Sequence, residues 1–336
     1  MADTYLTLAE AANYRTTPLE VAVIENILEE SPVLSGGINV MGGASPAALP
    51  FQLVPDRLLT INRESTYPTV AWYDAGEKVT GDTGTVAQTT FTIKGMKTRI
   101  VVPREVKEGY GSLVDQMNVQ LQMNLKAMTK EFMNAFYYGK TATNSKEPNG
   151  LHSLVSSSSP DMLIEEGSSS AGTGLNLTNM DLLTSMGRGT PPFAMIVCSR
   201  QLYRTFTAAR RSTTTGIAGN FSAQPMREFG VPILFYNNVP IFPDDHILDT
   251  ETVSTTTYDA PTGGATTTLF AIKFGPRYLS GVSFSQIGPV TKYVMGPTQD
   301  YDGDILWVTW DVALVMRSEY SVAAITGILP GTAIAA

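Results

Sequence analysis

Residues 112–138 read SLVDQMNVQLQMNLKAMTKEFMNAFYY, and Gly139 follows directly. Leu113, Met117, Leu121, Leu125, Met128, Phe132 and Phe136 recur at steps of four or three. At about 3.6 residues per turn that spacing keeps them on one face of a single helix. Ser112 with Asp115 reads as a capping pair behind Gly109 and Gly111, and Gly139 suits the left-handed position that closes helices. At ~1.5 Å per residue the rod is roughly 40 Å long, more than one compact half of the chain requires. It is therefore expected to be a spine, its apolar stripe packing mainly on strands near Trp307 and Trp310.

Toward the C-terminus, a polar stretch ends at Glu147-Pro148-Asn149-Gly150-Leu151, and serines at 156–159 and 168–170 loosen the chain. An α/β alternation follows. Thr178-Asn179-Met180-Asp181 caps a short helix to about 186, FAMIVC at 193–198 suits a buried strand, and Ser199 caps a helix to about 211. VPILFYNNVPIF at 231–242 reads as two strands around an Asn237-Asn238 turn. Threonine- and glycine-rich linkers occupy 252–257 and 263–268, and 269–274, 284–293 and 306–320 are strand candidates.

Toward the N-terminus, 59–102 predicts two extended limbs from about Leu59, the outgoing one containing 67–73 and the returning one 85–94, with a further β run at 98–102. Between the limbs lie the turn formers Asp74-Ala75-Gly76 and Gly81-Asp82-Thr83-Gly84. Few large apolar residues flank that tip, so the hairpin cannot hold itself on its own core and is expected to lean on a neighbour. Ahead of it, Thr17-Pro18-Leu19-Glu20 opens a short helix with Leu19, Val23, Ile27 and Leu28 on its apolar face, and 36–47 (GGINVMGGASPA) is a flexible connector. This region reads as an arm. No internal repeat is present.

Composition narrows the function. The 336 residues suggest about two domains. Hydrophobic residues make up 43% and charged residues 16%, against about 25% charged in ordinary soluble chains, so surface is expected to be hidden against copies of the same chain. A net charge of -8 argues against a protein whose main task is coating nucleic acid. Cys198 is the lone cysteine, which excludes an intrachain disulfide and a cysteine zinc cluster. The opening MADTYLTLAEAANYR lacks the basic segment and apolar run of a secretory signal, and no run approaches the ~18 apolar residues of a membrane span. A soluble chain made inside the cell is expected.

Catalytic signals are weak. His152 and His246 are the only histidines, so any triad or imidazole metal site must use one of them. Neither a G-x-S-x-G elbow nor a phosphate-binding P-loop motif occurs. Asp244-Asp245-His246 follows a strand and Pro243 and reads as a strand-ending turn. Asp300, Asp302, Asp304 and Asp311 echo a calcium loop, but glycine falls at Gly303 and the closing residue is not glutamate, so a polar turn is expected. Arg99 with Arg104 and Arg210 with Arg211 lack interleaved aromatics and read as solvated positions or inter-subunit ion pairs. The methionines at 117, 123, 128 and 133 read as adaptable packing. No catalytic, cofactor or metal residue is assigned.

The order of arm, extended loop, long helix, α/β segment and β strands resembles the major capsid protein of tailed double-stranded DNA phages, the Hong-Kong-97-like fold. Leu6-Thr7-Leu8-Ala9-Glu10-Ala11, Val23-Ile24-Glu25 and Ser31-Pro32-Val33-Leu34 look like an N-terminal arm of that family. Residues 62–95 correspond to its E-loop. Glu131-Phe132-Met133-Asn134-Ala135-Phe136-Tyr137-Tyr138-Gly139 with Pro148-Asn149-Gly150-Leu151 resembles the end of its spine helix and the start of its axial A-domain. Met226-Arg227-Glu228-Phe229-Gly230-Val231-Pro232 ahead of Val239-Pro240-Ile241-Phe242 resembles a hairpin late in that domain.

The resemblance implies an α+β chain divided into an N-terminal arm (1–58), an E-loop with flanking strands (59–102), a P-domain spine helix (103–150), an α/β A-domain (151–275), and P-domain strands with the C-terminal end (276–336). It implies pentamers and hexamers tiling an icosahedral virion shell, assembled in the host cytoplasm, with the polar face of the spine toward the interior. The E-loop would lie over a neighbouring subunit, making Trp72, Tyr73, Lys78 and Asp82 inter-subunit contacts. Partners would be copies of itself, a portal protein, separate scaffolding or decoration proteins, and packaged double-stranded DNA held without sequence-specific contact; no membrane and no cofactor are implied. Type members can cross-link through an E-loop lysine; Lys78 lies near the tip, yet no partner for it can be assigned. An encapsulin-like compartment shares the fold, and a soluble hydrolase using a histidine is the remaining alternative.

Overall fold

The computed structural model describes residues 31–35, 48–105, 108, 116–158, 160–167, 171–189, 191–211, 221–225, 232–254, 257–284, 289–294 and 302–335. Expectations for 1–30, for the connector at 36–47, for the cap at Ser112 and Asp115, for Leu113, for the side chain of Met117, for the hairpin lead 226–231 and for Asp300 lie outside the described residues.

In chain order, a helical turn at Pro32–Ser35 precedes β1 (Phe51–Val54), β2 (Leu58–Thr66), β3 (Thr85–Thr92) and β4 (Lys94–Pro103). The long helix α1 (Gln116–Tyr138) and α2 (Leu151–Ser158) follow, then β5 (Leu163–Glu165), α3 (Leu177–Met186), β6 (Met195–Cys198) and α4 (Arg200–Arg211). β7 (Phe221–Pro225), β8 (Pro232–Tyr236), β9 (Val239–Pro243), β10 (Thr252–Ser254), β11 (Thr257–Ala260) and β12 (Thr267–Ile272) come next. The chain closes with β13 (Leu279–Phe284), β14 (Val290–Val294), β15 (Gly303–Met316) and β16 (Val322–Ile328).

Two larger sheets share the core. In the first, the fourteen-residue β15 pairs antiparallel with β4, β13 and β14, while β1 adds parallel to β13. α1 lies on one face of it. Met128, Phe132 and Phe136 are buried, and Leu121 and Leu125 are half-buried against the same core. The Phe132 ring stands 4.8 Å from Trp310 and 6.0 Å from Phe51. Thr98 Oγ1 donates to Asn124 Oδ1 at 2.8 Å, tying β4 to the helix.

Trp307 does not join this packing, contrary to the expectation that pairs it with Trp310. Side chains alternate along a strand, so positions three apart face opposite ways. Trp307 stays 38% exposed on the outer face beneath the Arg99 guanidinium, 5.5 Å from the ring centroid.

The second sheet has seven strands in the order β5-β16-β12-β6-β9-β8-β7. Its central strands are buried on both faces. Met195, Val197, Phe270, Ile272, Val322 and Ala324 meet the cluster around α1 and α2, whereas Ile196, Cys198, Leu269, Ala271, Ala323 and Ile325 meet a second cluster with Met180, Leu183, Leu202 and Phe206 of α3 and α4. Burial on both sides explains why these strands read as continuous apolar runs. β16 belongs to this sheet, so a grouping of 276–336 with the first sheet divides after β15; pairing with β12 and β5 lets Val322–Ile328 bury every residue.

Where α1 ends, the one-stripe reading is also too simple. Phe132, Met133, Ala135, Phe136 and Tyr137 are all buried, because the last turns run between the two sheets, with Phe132 against Trp310 and Tyr137 5.7 Å from Phe270. The helix thus lies along the first sheet, nearest β4, and its last turn also reaches the second sheet at Phe270. Gly139 closes it without a left-handed φ. Its glycine requirement is close approach: a Cβ there would sit 2.3 Å from Pro148 O and 2.5 Å from Ala135 O, beside the 2.7 Å bond from Gly150 N to Gly139 O.

Local signals elsewhere keep their places with small shifts. Ser199 Oγ accepts from Leu202 N at 3.2 Å at the start of α4. α3 begins earlier than expected, capped by Asn176, whose side chain accepts from Thr178 N at 2.9 Å. Asn237 and Asn238 have φ of 46° and 65°, the geometry of a type I′ turn between β8 and β9.

Candidate assembly surface

The β2–β3 hairpin forms its own two-stranded sheet, registered from Leu58 with Thr92 to Thr66 with Thr85. The outgoing strand thus begins where expected but ends at Thr66, short of 67–73, where Pro68 cannot donate to a ladder and the backbone is irregular. Its root is held by buried Phe91 and Ile93, by Leu59 and Ile61 against the core, and by Arg63, which donates to Met316 O and pairs with Glu319 at 3.9 Å. Burial lowers the Arg63 pKa against the opposing pull of Glu319.

Beyond Thr66 the hairpin leaves the core. Every residue from 67 to 84 is exposed, including Tyr67, Val70, Val79 and Trp72, the last at 102%. The tip is nevertheless shaped by its own bonds. Asp82 accepts from Thr69 N at 2.9 Å and Thr83 N at 2.8 Å, Glu77 from Asp74 N at 3.0 Å, and Tyr73 Oη from Thr80 N at 3.3 Å. The Thr69 and Thr83 bonds hold the Asp82 carboxyl below its ordinary range, so it is ionised at neutral pH. Gly76 takes φ +92°, a value a side chain would strain.

Trp72, Tyr73, Lys78 and Asp82 therefore share one exposed tip, and the spine residues Leu121, Leu125, Met128, Phe132 and Phe136 share the core. The few large apolar residues flanking the tip are the signal that it has no core of its own, and the length of the hairpin carries Trp72, an indole that is ordinarily a core anchor, clear of both buried clusters.

The groups that sequence reasoning weighs for chemistry lie at the junction of α1 with the second sheet. Tyr137 Oη and Ser31 Oγ donate to Asp244 Oδ2 at 2.8 and 2.7 Å, and His246 N donates to Asp244 Oδ1 at 2.9 Å. Tyr138 Oη donates to Glu251 Oε1 and accepts from Leu248 N, at 2.8 and 2.7 Å; Thr268 Oγ1 donates to Glu251 Oε2. His152 Nε2 lies 3.4 Å from Glu251 Oε1, with the ring stacked on Tyr138 and edge-on to Phe270. Both tyrosines thus plant a hydroxyl on a buried carboxylate, fastening the end of the spine. The neighbouring cavity, lined by Tyr138, Gly139, Lys140, His152, Ser153 and Ser156, holds about 20 Å³, room for one water. Among the described residues, no group of three or more His, Cys, Asp or Glu is placed to hold a metal ion.

The remaining polar residues are placed as follows. Asp245 pairs with Arg200, Asp302 with Arg104 at 3.4 Å, Asp311 with Arg57 at 3.7 Å, and Asp304 is buried. Cys198 is buried, and desolvation pushes its thiol well above the ordinary range. No described helix is long and apolar enough to cross a membrane.

Burial raises the Asp244 pKa above its ordinary 3.8, outweighing the bonds from His246, Ser31 and Tyr137 that lower it. A raised folded-state value gives stability that is complete below the unfolded value and is lost as pH rises through the folded one. Asp244→Asn keeps the shape without the charge. Its melting temperature relative to the native chain is expected to climb as pH rises above about 4, the ordinary carboxylate value. Thermal melts across that window check the sign, and a flat or falling difference would contradict it.

No family model matches the sequence, and no curated protein matches it. Solved structures do. The capsid of a native GTA particle aligns with a TM-score of 0.63 at 10% identity over 96% of this chain and 98% of that one. A structure of Microbacterium phage Oxtober96 aligns with a TM-score of 0.58 at 13% identity, over 96% and 99%. The holo-SrpI encapsulin complex from Synechococcus elongatus PCC 7942 aligns at 0.60 and 13%, over 85% and 87%. Likeness this distant in sequence is likeness of fold: the chain has the α+β Hong-Kong-97-like capsid fold.

Proposed function

We propose that this chain is the structural major capsid protein of a tailed double-stranded DNA phage, building an icosahedral virion shell from pentamers and hexamers. The carrying observation is the hairpin tip, where Trp72 and Val70 stand 102% and 90% exposed on a chain whose fold is that of shell proteins. An isolated subunit has no reason to hold so much apolar surface in water at the end of an ordered arm; a neighbouring copy supplies the missing burial. In this reading the hairpin is the E-loop, with Trp72, Tyr73, Lys78 and Asp82 as inter-subunit contacts. α1 with the β15 sheet is the P-domain, and 151–275 with β16 is the axial domain.

The buried His152 and His246 serve packing and bonding in this reading, and the shell works without catalysis or cofactor. DNA, a portal and any scaffolding or decoration protein are its expected partners in the virion. Negative-stain electron microscopy of the purified chain tests it. Closed shells support the reading, and a stable monomer inside mature particles overturns it. The encapsulin likeness makes a cargo compartment the second reading. Mass spectrometry of purified particles separates the two: portal protein and DNA on one side, a packaged enzyme on the other.

A further inference from the structure

Asp244 is where three stretches far apart in the chain meet. Tyr137 Oη of α1 and Ser31 Oγ, just ahead of the helical turn Pro32–Ser35, both donate to its Oδ2, at 2.8 and 2.7 Å. His246 N donates to Oδ1 at 2.9 Å, and Asp244 N donates to Cys198 O of β6 at 2.8 Å. The carboxyl is fully buried. Val33 is fully buried as well, and its carbonyl accepts from Leu49 N at 3.0 Å, so this short segment is seated at two points. In the chain, residues 1–30 lead into the subunit through Ser31.

The two hydroxyls on Oδ2 are not equivalent. Tyr137 is buried with its ring between Phe136 and Phe270, at 5.0 and 5.7 Å, so losing its acceptor would leave a buried O–H unpaired. Ser31 is half-buried, and water can replace its partner.

We infer that Asp244 is a proton-operated catch on the root of the arm: ionised, it holds Ser31 on the junction of α1 with the second sheet, and protonated, it releases Ser31 while keeping Tyr137. This goes beyond the shell reading and does not depend on it. The reason is reciprocity. The Ser31 bond pulls the Asp244 carboxyl down, against the larger effect of burial, so ionisation strengthens that bond by the same amount. A hydrogen bond to a carboxylate is about twice as strong as one between neutral groups.

The groups around Asp244 leave it as the titrating member. Burial holds Tyr137 and Cys198 well above their ordinary ranges, so both stay neutral. Asp245 is turned to Arg200, Glu251 to Tyr138, and Asp249 lies near Cys198. A charged His246 favours the ionised carboxyl, and residues 31–35 bring no titratable side chain. Since burial raises Asp244 above 3.8, the catch is closed above that raised value and opens as pH falls through it. The whole subunit gains stability on the same protonation, so a melt does not report the catch.

Hydrogen–deuterium exchange of the full chain does, with each rate corrected for the intrinsic pH dependence of exchange. In the native chain, protection of the amides at 33–35 and of Leu49 is expected to fall about fivefold from about pH 8 to about pH 4, while 267–272 in β12 keeps its protection. Ser31→Ala lacks the hydroxyl and Asp244→Asn lacks the titration, so both are expected to show the lower protection at either pH. Ser31→Ala changes one half-buried side chain, and it decides the matter alone if Asp244→Asn does not fold. A native chain with no pH dependence at 33–35 overturns the catch. So does a Ser31→Ala chain that keeps the full pH dependence, which would place the titrating group elsewhere, His246 included. A fall shared by β12 is loosening of the whole subunit and overturns it too.

Discussion

Joining Thr66 to Thr85 through an Asn-Gly pair, with 67–84 removed, is expected to abolish shell assembly while leaving the melting temperature of the unassembled chain within about 2 °C of native. Thr66 and Thr85 are already partners in the ladder, so a two-residue turn can close the hairpin there. The deleted segment bonds to itself, through Thr69 with Asp82, Asp74 with Glu77 and Tyr73 with Thr80, and contributes nothing to either buried cluster. Its anchors, Phe91, Ile93, Leu59 and Ile61, stay in place. Folding and assembly therefore separate at Thr66. Shell yield by sedimentation, set against circular-dichroism melts, measures both; native yields of closed shells would remove the hairpin from the assembly mechanism.

Phe132→Ala is expected to act on the opposite side of that division, lowering the stability of the subunit itself by about 3–5 kcal/mol. Phe132 is 1% exposed, and its ring closes a triangle with Trp310 and Phe51 whose sides are 4.8, 6.0 and 6.0 Å. Removing it opens a void where α1 meets both β15 and β1, and two large rings cannot collapse into it without leaving their rotamers. Against a total of about 5–15 kcal/mol such a loss is a large fraction of what holds the subunit folded. Gln122→Ala, exposed on the same helix, is expected to change stability by no more than about 0.5 kcal/mol. Chemical denaturation of both variants gives the comparison. A cost for Phe132→Ala below about 1 kcal/mol would mean that the helix does not pack on β15 in this way.

Much of the chain was legible because its signals are local. The spine announces itself by the spacing of Leu121, Leu125, Met128, Phe132 and Phe136, α4 by Ser199, and the β8–β9 turn by two adjacent asparagines that tolerate positive φ. The hairpin was legible as a hairpin, but its outgoing strand was carried too far, since Tyr67-Pro68-Thr69-Val70-Ala71-Trp72-Tyr73 has strand-like composition and no ladder partner. Trp307 shows a readable signal left unread: three positions from Trp310 in a strand, it had to face away.

Other features had no local signature. That Val322–Ile328 leaves the β15 sheet to pair with Leu163–Glu165 and Thr267–Ile272 depends on contacts far apart in the chain, and its apolar run would suit the middle of either sheet. Asp244 reads as a turn acid and Glu251 carries no sequence signal; only folding sets them under Tyr137 and Tyr138, 107 and 113 positions away. The sequence by itself determined the elements and their order, because helix spacing, caps and turn residues act over a few positions. The tertiary structure alone decided which sheet each strand joins, which tryptophan is buried and which carboxylates the spine ends on, because burial is settled by what the rest of the chain brings alongside.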